Sequence, residues 1–208
     1  MKKLLFILFI LVPSLTYSQI IKDVGLKIGG TLSAQQWEST SLSNQIKFNT
    51  DLMAGFNAGI FFQSQDYSIF NILFEVNFIQ KSTAKDNIIN IINLPDGIAE
   101  DWNVNLNYLN LAIMLKPKIN LGIFAPYVMV GPEVDMELSK STETPKVFYD
   151  EFKKTRPGLR MGFGSEINLG TLRLLAEFVY DSEFDTLYDK NEIELDTYSY
   201  DIRFGIFF

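Results

Sequence analysis

The chain has 208 residues, a length that suits one domain and is sufficient to close a β-barrel. It contains no Cys and no His, so disulfides, thiol nucleophiles, Ser-His-Asp triads and histidine-ligated zinc are all excluded. Hydrophobic residues make up 47% of the chain, yet after the first twenty positions no stretch stays apolar long enough to cross a bilayer as a helix. The apolar residues are spread over short alternating segments, which is the pattern of β-strands.

The N-terminus has the pattern of a secretory signal. It begins with two lysines, continues with an apolar run over 4–12 and ends in small residues before Gln19. A retained membrane anchor is the alternative, but the apolar run is too short to span the hydrocarbon. We therefore predict a signal peptide over 1–18 and one barrel domain over 19–208.

Charge limits the partners of the exported chain. Removal of 1–18 takes two of the 18 basic residues and none of the 25 acidic ones, which leaves a net charge of 16 − 25 = −9. Duplex nucleic acid attracts basic proteins, so we expect no nucleic-acid partner.

Three strands are predicted in the N-terminal half, over 22–34, 55–62 and 70–79. Each alternates apolar residues on one face with small or polar residues on the other. A polar stretch over 35–50 separates the first two strands, and a short turn over 64–67 joins the second to the third.

The fourth strand follows a long segment over 81–103, and its apolar phase changes at Tyr108, which predicts a β-bulge there. A turn over 116–122 leads to the fifth strand. In that strand Pro126 and Pro132 share the apolar face, although proline lacks a ladder donor and is disfavoured in central strands.

The last three strands are predicted over 159–167, 172–180 and 198–208. A tight turn at 168–170 joins the first two of them. Polar segments over 138–155 and 181–196 precede the sixth and the eighth strands.

The connections therefore alternate between long and short, so all the short turns lie at one end of the barrel. This order predicts an all-β fold: an eight-stranded antiparallel up-and-down transmembrane β-barrel with short periplasmic turns and long extracellular loops, in a Gram-negative outer membrane. A soluble barrel is the alternative, but it would carry Lys and Glu on its outer face. Five tyrosines fall near predicted strand ends, as in an aromatic belt or as ordinary strand residues: Tyr67, Tyr108, Tyr180, Tyr198 and Tyr200.

Charged residues recur on the opposite strand face, which points into the barrel. We predict that they form a lumen charge network of Glu75, Glu133, Arg160, Glu166, Arg173, Glu177, Asp201 and Arg203. An eight-stranded barrel is just wide enough for side chains to fill, so paired arginines and carboxylates would seal it. Glycines on this face would make room for them. A gated narrow pore or a proton path is the alternative.

Two connecting segments have unusual compositions. The segment 181–196 carries seven acidic residues and one lysine, which predicts a solvated acidic loop or, alternatively, a Ca²⁺ site, although its spacing matches no EF-hand. The apolar segment 88–94, with Trp102, predicts either an extension of a hairpin above the membrane or a partner-binding edge. Trp37 could join either arrangement.

Several short motifs, taken in order, carry a family resemblance. They are the signal peptide, Phe-Glu-Val-Asn-Phe at 74–78, Tyr-Leu-Asn-Leu-Ala-Ile at 108–113 followed by Lys116, Pro-Tyr-Val at 126–128 with Gly-Pro at 131–132, and Arg-Phe-Gly-Ile-Phe-Phe at 203–208. Together they cover nearly all of the mature chain. It resembles the small porin-like, PorT-type outer-membrane barrel family of Bacteroidetes-like bacteria. Asn110 and Ala112 stand where that family commonly has Glu and Pro.

The resemblance implies a barrel-assembly signal formed by Phe204, Ile206 and Phe208, and it implies outer-membrane lipid, the barrel assembly machinery and an envelope protein as partners. With no His and no Cys, we expect no enzyme and no cofactor, although a paired-carboxylate mechanism stays open. The expected role is structural or surface-interacting, through the extracellular loops. The alternatives are a narrow small-solute channel and an accessory component of a secretion or envelope assembly.

Overall fold

The computed structural model describes residues 21–39, 47–65, 70–85, 102–142, 152–190 and 193–208. The predicted signal peptide, the apolar segment 88–94 and Tyr67 lie outside these residues. Within the described part of the chain there is no helix long and apolar enough to cross a membrane.

The described residues form ten strands. They are β1 (Ile21–Ser39), β2 (Lys47–Asn49), β3 (Asp51–Ser64), β4 (Phe70–Lys85), β5 (Trp102–Pro117), β6 (Phe124–Thr142), β7 (Thr155–Leu169), β8 (Leu172–Glu183), β9 (Tyr188–Lys190) and β10 (Ile193–Phe207). Eight long strands form the wall of the barrel. The short strands β2 and β9 pair only with the extracellular ends of β1 and β10. Every neighbouring pair is antiparallel, and β1 pairs with β10 to close the sheet. The predicted eight-stranded antiparallel barrel is confirmed.

The strands are longer than predicted at their extracellular ends. β1 and β6 each have 19 residues and the shortest wall strand, β8, has 12, whereas crossing a membrane takes about 9–11 tilted residues. Parts of the segments expected to be loops, such as 35–39 and 138–142, are therefore strand. Their alternation escaped the sequence analysis because a strand that has left the membrane needs no apolar outer face.

The β-bulge predicted near Tyr108 lies at the predicted level, but β5 itself keeps one phase. Val104, Leu106 and Tyr108 are buried and lie on the same inward face as Asn110 and the residues that follow it. A register shift does occur between Asn107 and Tyr108, but the additional residue belongs to β6. The apolar residues point inward here because this end of the lumen also holds other buried apolar side chains, such as Trp37 and Leu195.

The outer wall is apolar along the membrane-spanning part of the strands. Its exposed side chains include Leu26, Ile28, Leu32, Phe56, Ile60, Phe74, Val76, Phe78, Leu111, Ile113, Leu115, Val128, Val130, Met161, Phe163, Ile202 and Phe204. A surface of this kind is stable only against lipid or another apolar phase, because monomeric soluble proteins rarely expose so large a patch.

Both prolines of β6 face outward, as predicted, and the strand is nevertheless paired on both sides. Its ladder with β5 has no pairs between Ala112↔Glu133 and Leu115↔Val130, opposite Pro132. The interruption agrees with the missing proline donor.

Aromatic residues cluster on the outer face of β8 and β10. The Tyr200 ring lies 5.2 Å from that of Tyr180, 5.9 Å from that of Tyr198 and 6.0 Å from that of Phe178. These rings fit the predicted belt. Tyr108 does not, because it is fully buried inside the barrel.

Candidate functional site: the lumen and the extracellular rim

The lumen is filled by side chains that form two apolar and three charged groups. The central charge cluster is built around Glu75, which accepts hydrogen bonds from Lys27 Nζ, from Arg160 Nη1 at 3.1 Å and from Arg203 Nη1 at 3.1 Å. Glu177 bonds the same Lys27 at 2.9 Å and lies 2.8 Å from Arg203 Nε. These five side chains come from five strands, so the cluster ties the wall together across the lumen.

Arg160 is the hub of this cluster. Its guanidinium binds Asp181 through two bonds of 2.7 Å each, contacts Glu133 at 3.0 Å and donates to Asn110 at 2.8 Å. Bidentate arginine–carboxylate pairs are among the strongest hydrogen-bonded pairs in proteins. The buried charge of Arg160 is therefore compensated from several sides.

An upper charge cluster lies on the extracellular side. Lys81 Nζ is 2.8 Å from Asp135 and 2.5 Å from Glu183. Arg156 lies 3.3 Å from Glu183 and donates to the Tyr108 hydroxyl at 2.9 Å. All five side chains are nearly fully buried inside the barrel. The four charged ones must therefore compensate one another.

A periplasmic charge layer closes the opposite end. Lys116 Nζ donates to Glu166 at 2.7 Å and to Gln63 at 2.8 Å. Arg173 bonds Asp23 at 2.6 Å and Glu166 at 3.2 Å. The layer lies beside the short turns. Its hydrogen bonds connect β1 with β8 and connect β5 with β3 and β7.

Two apolar groups flank the charges. The lower apolar layer consists of Phe61, Leu73, Ala112, Met114, Tyr127, Met129, Leu175, Val179 and Phe207. Most of it lies toward the periplasm, but Ala112 and Val179 lie at the level of the central charge cluster. Its Phe61 and Phe207 rings meet edge to face at 4.9 Å. The apolar cap, toward the outside, consists of Ala34, Trp37, Val104, Leu106, Phe152, Leu187 and Leu195. An ion crossing the lumen would have to pass both.

Close packing explains the inward glycines. A Cβ on Gly25 would overlap the Phe61 ring, and one on Gly164 would come within 2.8 Å of Tyr127. On Gly205 it would come within 3.0 Å of Leu175. Large side chains fit into the lumen at these levels only because the positions that face them are glycines, which have no side chain.

The structure places all eight residues of the predicted lumen charge network on the inner face. Glu75, Glu133, Arg160, Glu177 and Arg203 meet in the central charge cluster, and Glu166 and Arg173 meet in the periplasmic charge layer. Asp201 lines the same lumen, but it makes no ion pair among the described residues.

The sequence analysis missed as many lumen charges: Asp23, Lys27, Lys81, Lys116, Asp135, Arg156, Asp181 and Glu183. Asp23, Lys27 and Asp135 already lay within predicted strands. The others lay outside the predicted strands. Extending the alternation of each strand to its polar ends would have found them.

The acidic segment is not a wholly solvated loop. Asp181 and Glu183 belong to β8 and are bound by Arg160 and by Lys81 inside the barrel. Asp185 is exposed and lies 3.8 Å from Lys153. Among the residues that the structure describes, no group of three His, Cys, Asp or Glu side chains is arranged to hold a metal ion.

The predicted barrel-assembly signal lies on the outer face. Phe204 and Phe208 are exposed, and Ile206 is half-buried. β10 pairs Phe204 with Ile28 and Ile206 with Leu26 at the closing seam. The adjoining outer surface has a groove of about 750 Å³, lined by apolar side chains of β1, β3, β4 and β10.

The rim is the part of the barrel above the membrane. It contains the upper ends of β1, β4, β6 and β10 together with β2, β9 and the described loop residues 152–154 and 184–187. The loops are held in place, because Lys153 N donates to the Leu187 carbonyl at 3.0 Å and Leu187 N donates to the Leu195 carbonyl at 2.6 Å. Phe152 and Leu187 are buried in the apolar cap, which therefore supports the rim from beneath.

A closed antiparallel barrel with an apolar outer wall and paired charges inside is a transmembrane β-barrel of the bacterial outer-membrane class. The sequence model of a family described as outer membrane protein beta-barrel domain matches residues 4–208. The chain belongs to this family, and the outer membrane is its location.

A comparison with curated proteins finds no match. Solved structures give distant likenesses. The attachment invasion locus protein Ail of Yersinia pestis is 12% identical over 89% of this chain and 98% of that chain, with a TM-score of 0.36. Neisserial surface protein A is 14% identical over 88% and 95%, with a TM-score of 0.47, and outer membrane protein AlkL is 14% identical over 89% and 90%, with a TM-score of 0.47. Likenesses at this level identify no ligand or partner for this chain.

Proposed function

We propose that this protein is a sealed, non-enzymatic outer-membrane barrel that anchors a preformed rim and interacts with other molecules at the cell surface. The observation that carries the proposal is the central charge cluster, which joins five strands across the lumen. Lys27, Glu75 and Arg203 are each nearly fully buried within it.

A permeating ion would have to break these pairs. Removing one partner of a buried ion pair costs about 3–5 kcal/mol, because the other charge is left uncompensated in a poorly solvated place. Apolar groups flank these pairs, and an ion that passes an apolar group loses its polar partners. Conduction through this lumen is therefore strongly disfavoured, which argues against the small-solute channel.

The rim has the properties of an interaction surface. It exposes the Phe184 ring, 69% accessible, beside charged residues such as Asp185 and Lys153. The backbone bonds to the apolar cap fix the rim before any partner binds. A preformed surface loses less conformational entropy on binding than a loose loop does.

Bilayer conductance tests the sealed lumen. We expect no discrete conductance steps from the purified, heat-modifiable protein in planar bilayers. A known porin in the same bilayers is the positive control. Reproducible steps that follow the folded band through purification would contradict the proposal and favour a channel.

Photo-crosslinking in intact cells tests the rim. A photoreactive phenylalanine analogue at Phe184 should capture a partner, whereas the same analogue at Phe163, an exposed phenylalanine on the lipid-facing wall, should capture only lipid and membrane neighbours. Identical products from both positions would contradict a partner-binding rim. Co-purification of the Phe184 product with a large envelope complex would support an accessory role in secretion or envelope assembly.

We infer that residues 1–18 are cleaved on export, that the assembly machinery reads Phe204, Ile206 and Phe208, and that the chain is a PorT-type member of the porin-like barrels. Mass spectrometry of the intact mature protein tests the cleavage, and we expect a mass that corresponds to a start at Gln19. A mature protein that retains Met1 would contradict it.

A further inference from the structure

Buried carboxyl groups outnumber buried cations in the central and upper lumen. Among the residues that the structure describes, the central and upper charge clusters contain five cationic side chains: Lys27, Lys81, Arg156, Arg160 and Arg203. Together with Asp201, the same region holds seven carboxyl groups: Glu75, Glu133, Asp135, Glu177, Asp181, Glu183 and Asp201. The periplasmic charge layer has the opposite balance, but its cations are bonded to Asp23 and Glu166 at the other end of the barrel. Two carboxyl groups therefore lack a cation of their own, and a buried charge in that situation is costly.

Glu133 and Asp135 form a carboxyl pair on the inner face of β6. Asn110 Nδ2 donates to Glu133 Oε2 at 2.7 Å and to Asp135 Oδ1 at 2.6 Å. Both bonds come from the same nitrogen, so the two carboxyl groups lie side by side, and both are buried. Two carboxylates this close repel each other, and a proton on one of them removes the repulsion.

The neighbouring cations indicate which member of the pair carries the proton. Lys81 Nζ lies 2.8 Å from Asp135, which therefore has a cation beside it. Arg160 lies 3.0 Å from Glu133, but its guanidinium is bonded to Asp181 by two hydrogen bonds of 2.7 Å. Glu133 Oε1 is buried and has no hydrogen-bond partner in the described part of the chain. The negative charge is therefore better compensated on Asp135, and the proton belongs on Glu133.

Asp201 is the second carboxyl group without a cation. It is 1% exposed on the inner face of β10 and is hydrogen-bonded to the Thr31 hydroxyl. The guanidinium groups that act on it, those of Arg160 and Arg203, are bonded to other carboxylates. Asp181 is its diagonal neighbour across β8 and β10, so the closest charge on the adjacent strand is of the same sign. A neutral carboxyl group avoids this repulsion.

We propose that Glu133 and Asp201 each bind a proton at neutral pH, so that the folded lumen holds two protons that the unfolded chain does not. The five cations then face five carboxylates: Glu75, Asp135, Glu177, Asp181 and Glu183. In the unfolded chain both groups are in water and are ionised at neutral pH. The folded state therefore binds more protons than the unfolded state, and its stability falls as the pH rises. The proposal concerns the lumen alone and does not depend on what the rim binds.

Infrared spectroscopy of the folded protein detects these protons directly, because a protonated carboxyl group has a C=O absorption that a carboxylate lacks. The protein is purified from outer membranes and measured at neutral pH in a detergent without carbonyl groups. We expect two protonated carboxyl groups in the wild type. One of them should disappear in Glu133→Gln and the other in Asp201→Asn. The matched variant is Glu177→Gln, at a buried glutamate that lies 2.9 Å from Lys27 and 2.8 Å from Arg203, and it should retain both.

Folding stability gives an independent measurement. Between about pH 6 and pH 8, the folding equilibrium constant of the wild type in detergent micelles should fall by up to about tenfold per pH unit for each proton held. Glu133→Gln and Asp201→Asn should each lose part of this dependence. At the upper pH both should fold at least as well as the wild type, because an amide is neutral, as the protonated acid is. Glu177→Gln should lose at least about tenfold in the folding constant at every pH, because two buried cations lose a carboxylate.

Absence of the carboxyl absorption from the wild type at neutral pH would overturn the proposal. A loss of stability in Glu133→Gln equal to that in Glu177→Gln would show that Glu133 is ionised, which also contradicts it. An absorption that neither Glu133→Gln nor Asp201→Asn diminishes would place the protons elsewhere. A stability that depends on Na⁺ at constant pH and ionic strength would assign a metal cation to the lumen instead. If neither variant folds, the spectrum of the wild type still decides whether the lumen holds protons.

Discussion

Arg160 and Asp181 are directly paired across β7 and β8, and their side chains form two parallel hydrogen bonds of 2.7 Å inside the barrel. The bond therefore depends on the register of the two strands. A slip of one residue would turn one partner to the lipid face, where a charge is unstable. The pair thus links strand register to lumen packing.

Replacing Arg160 by Met should destabilise the barrel strongly. Asp181, Glu133 and Glu75 would lose a buried cationic partner, and removal of one partner of a buried pair costs about 3–5 kcal/mol. Urea unfolding in detergent micelles measures the change in free energy. The matched variant is Lys154→Met, an exposed rim position, for which we expect a change within about 0.5 kcal/mol. A loss below about 1 kcal/mol for Arg160→Met would show that the hub is not a major source of stability.

Two glycines of β1 should respond oppositely to alanine. The new methyl group in Gly25→Ala would overlap the Phe61 ring, which predicts a loss of about 1–3 kcal/mol from overpacking. Gly30 faces outward, and its nearest contact would be 4.0 Å away. Gly30→Ala should therefore be neutral or more stable by about 0.5–1 kcal/mol. Thermal unfolding of the two variants side by side measures the difference. A Gly25→Ala barrel as stable as the wild type would contradict a filled lumen.

An arginine on the outer wall should be tolerated only above the membrane. Ile28, 58% exposed on β1, lies within the apolar band, so Ile28→Arg should cost about 2–4 kcal/mol. Leu138 is similarly exposed, at 56%, but it lies near the extracellular end of β6. Leu138→Arg should cost at most about 1 kcal/mol. Refolding yield and urea stability in lipid vesicles give the comparison. Equal costs at the two positions would contradict the membrane placement.

Two phenylalanines of the rim form a matched pair for the apolar cap. Phe152 is 3% exposed and Phe184 is 69% exposed. Phe152→Ala should cost about 3–5 kcal/mol if the cap packs as a true core, whereas Phe184→Ala should change stability by less than about 0.5 kcal/mol. Limited proteolysis of the folded protein should show faster cleavage of the rim loops in Phe152→Ala alone. Equal protection of both variants would mean that the cap does not hold the loops.

Much of the fold could be predicted because lipid requires a regular pattern. On β10, Ile202 and Phe204 face the lipid and must be apolar. Asp201 and Arg203 alternate with them and face the lumen, where polar residues are accepted. Above the membrane this requirement ends, so Lys81 and Glu183 were taken for loop residues although they continue β4 and β8. The inward Val104 and Leu106 were misassigned for a related reason. They are buried inside the barrel, as are Phe152 and Leu187, which are remote from them in sequence, and short-range alternation gives no sign of such burial.

The central claim, a sealed lumen beneath an extracellular rim, is tested most directly by labelling single cysteines, because the chain has no Cys of its own. Asp185→Cys on the rim, Asn120→Cys in a short turn and Ser199→Cys in the lumen would each be treated with a membrane-impermeant maleimide on intact cells. We expect the rim position to react at once, the turn to react only after the outer membrane is permeabilised, and the lumen position to react only after unfolding. Labelling of Ser199→Cys on intact cells as fast as Asp185→Cys would contradict the sealed lumen, and labelling of Asn120→Cys without permeabilisation would contradict the orientation.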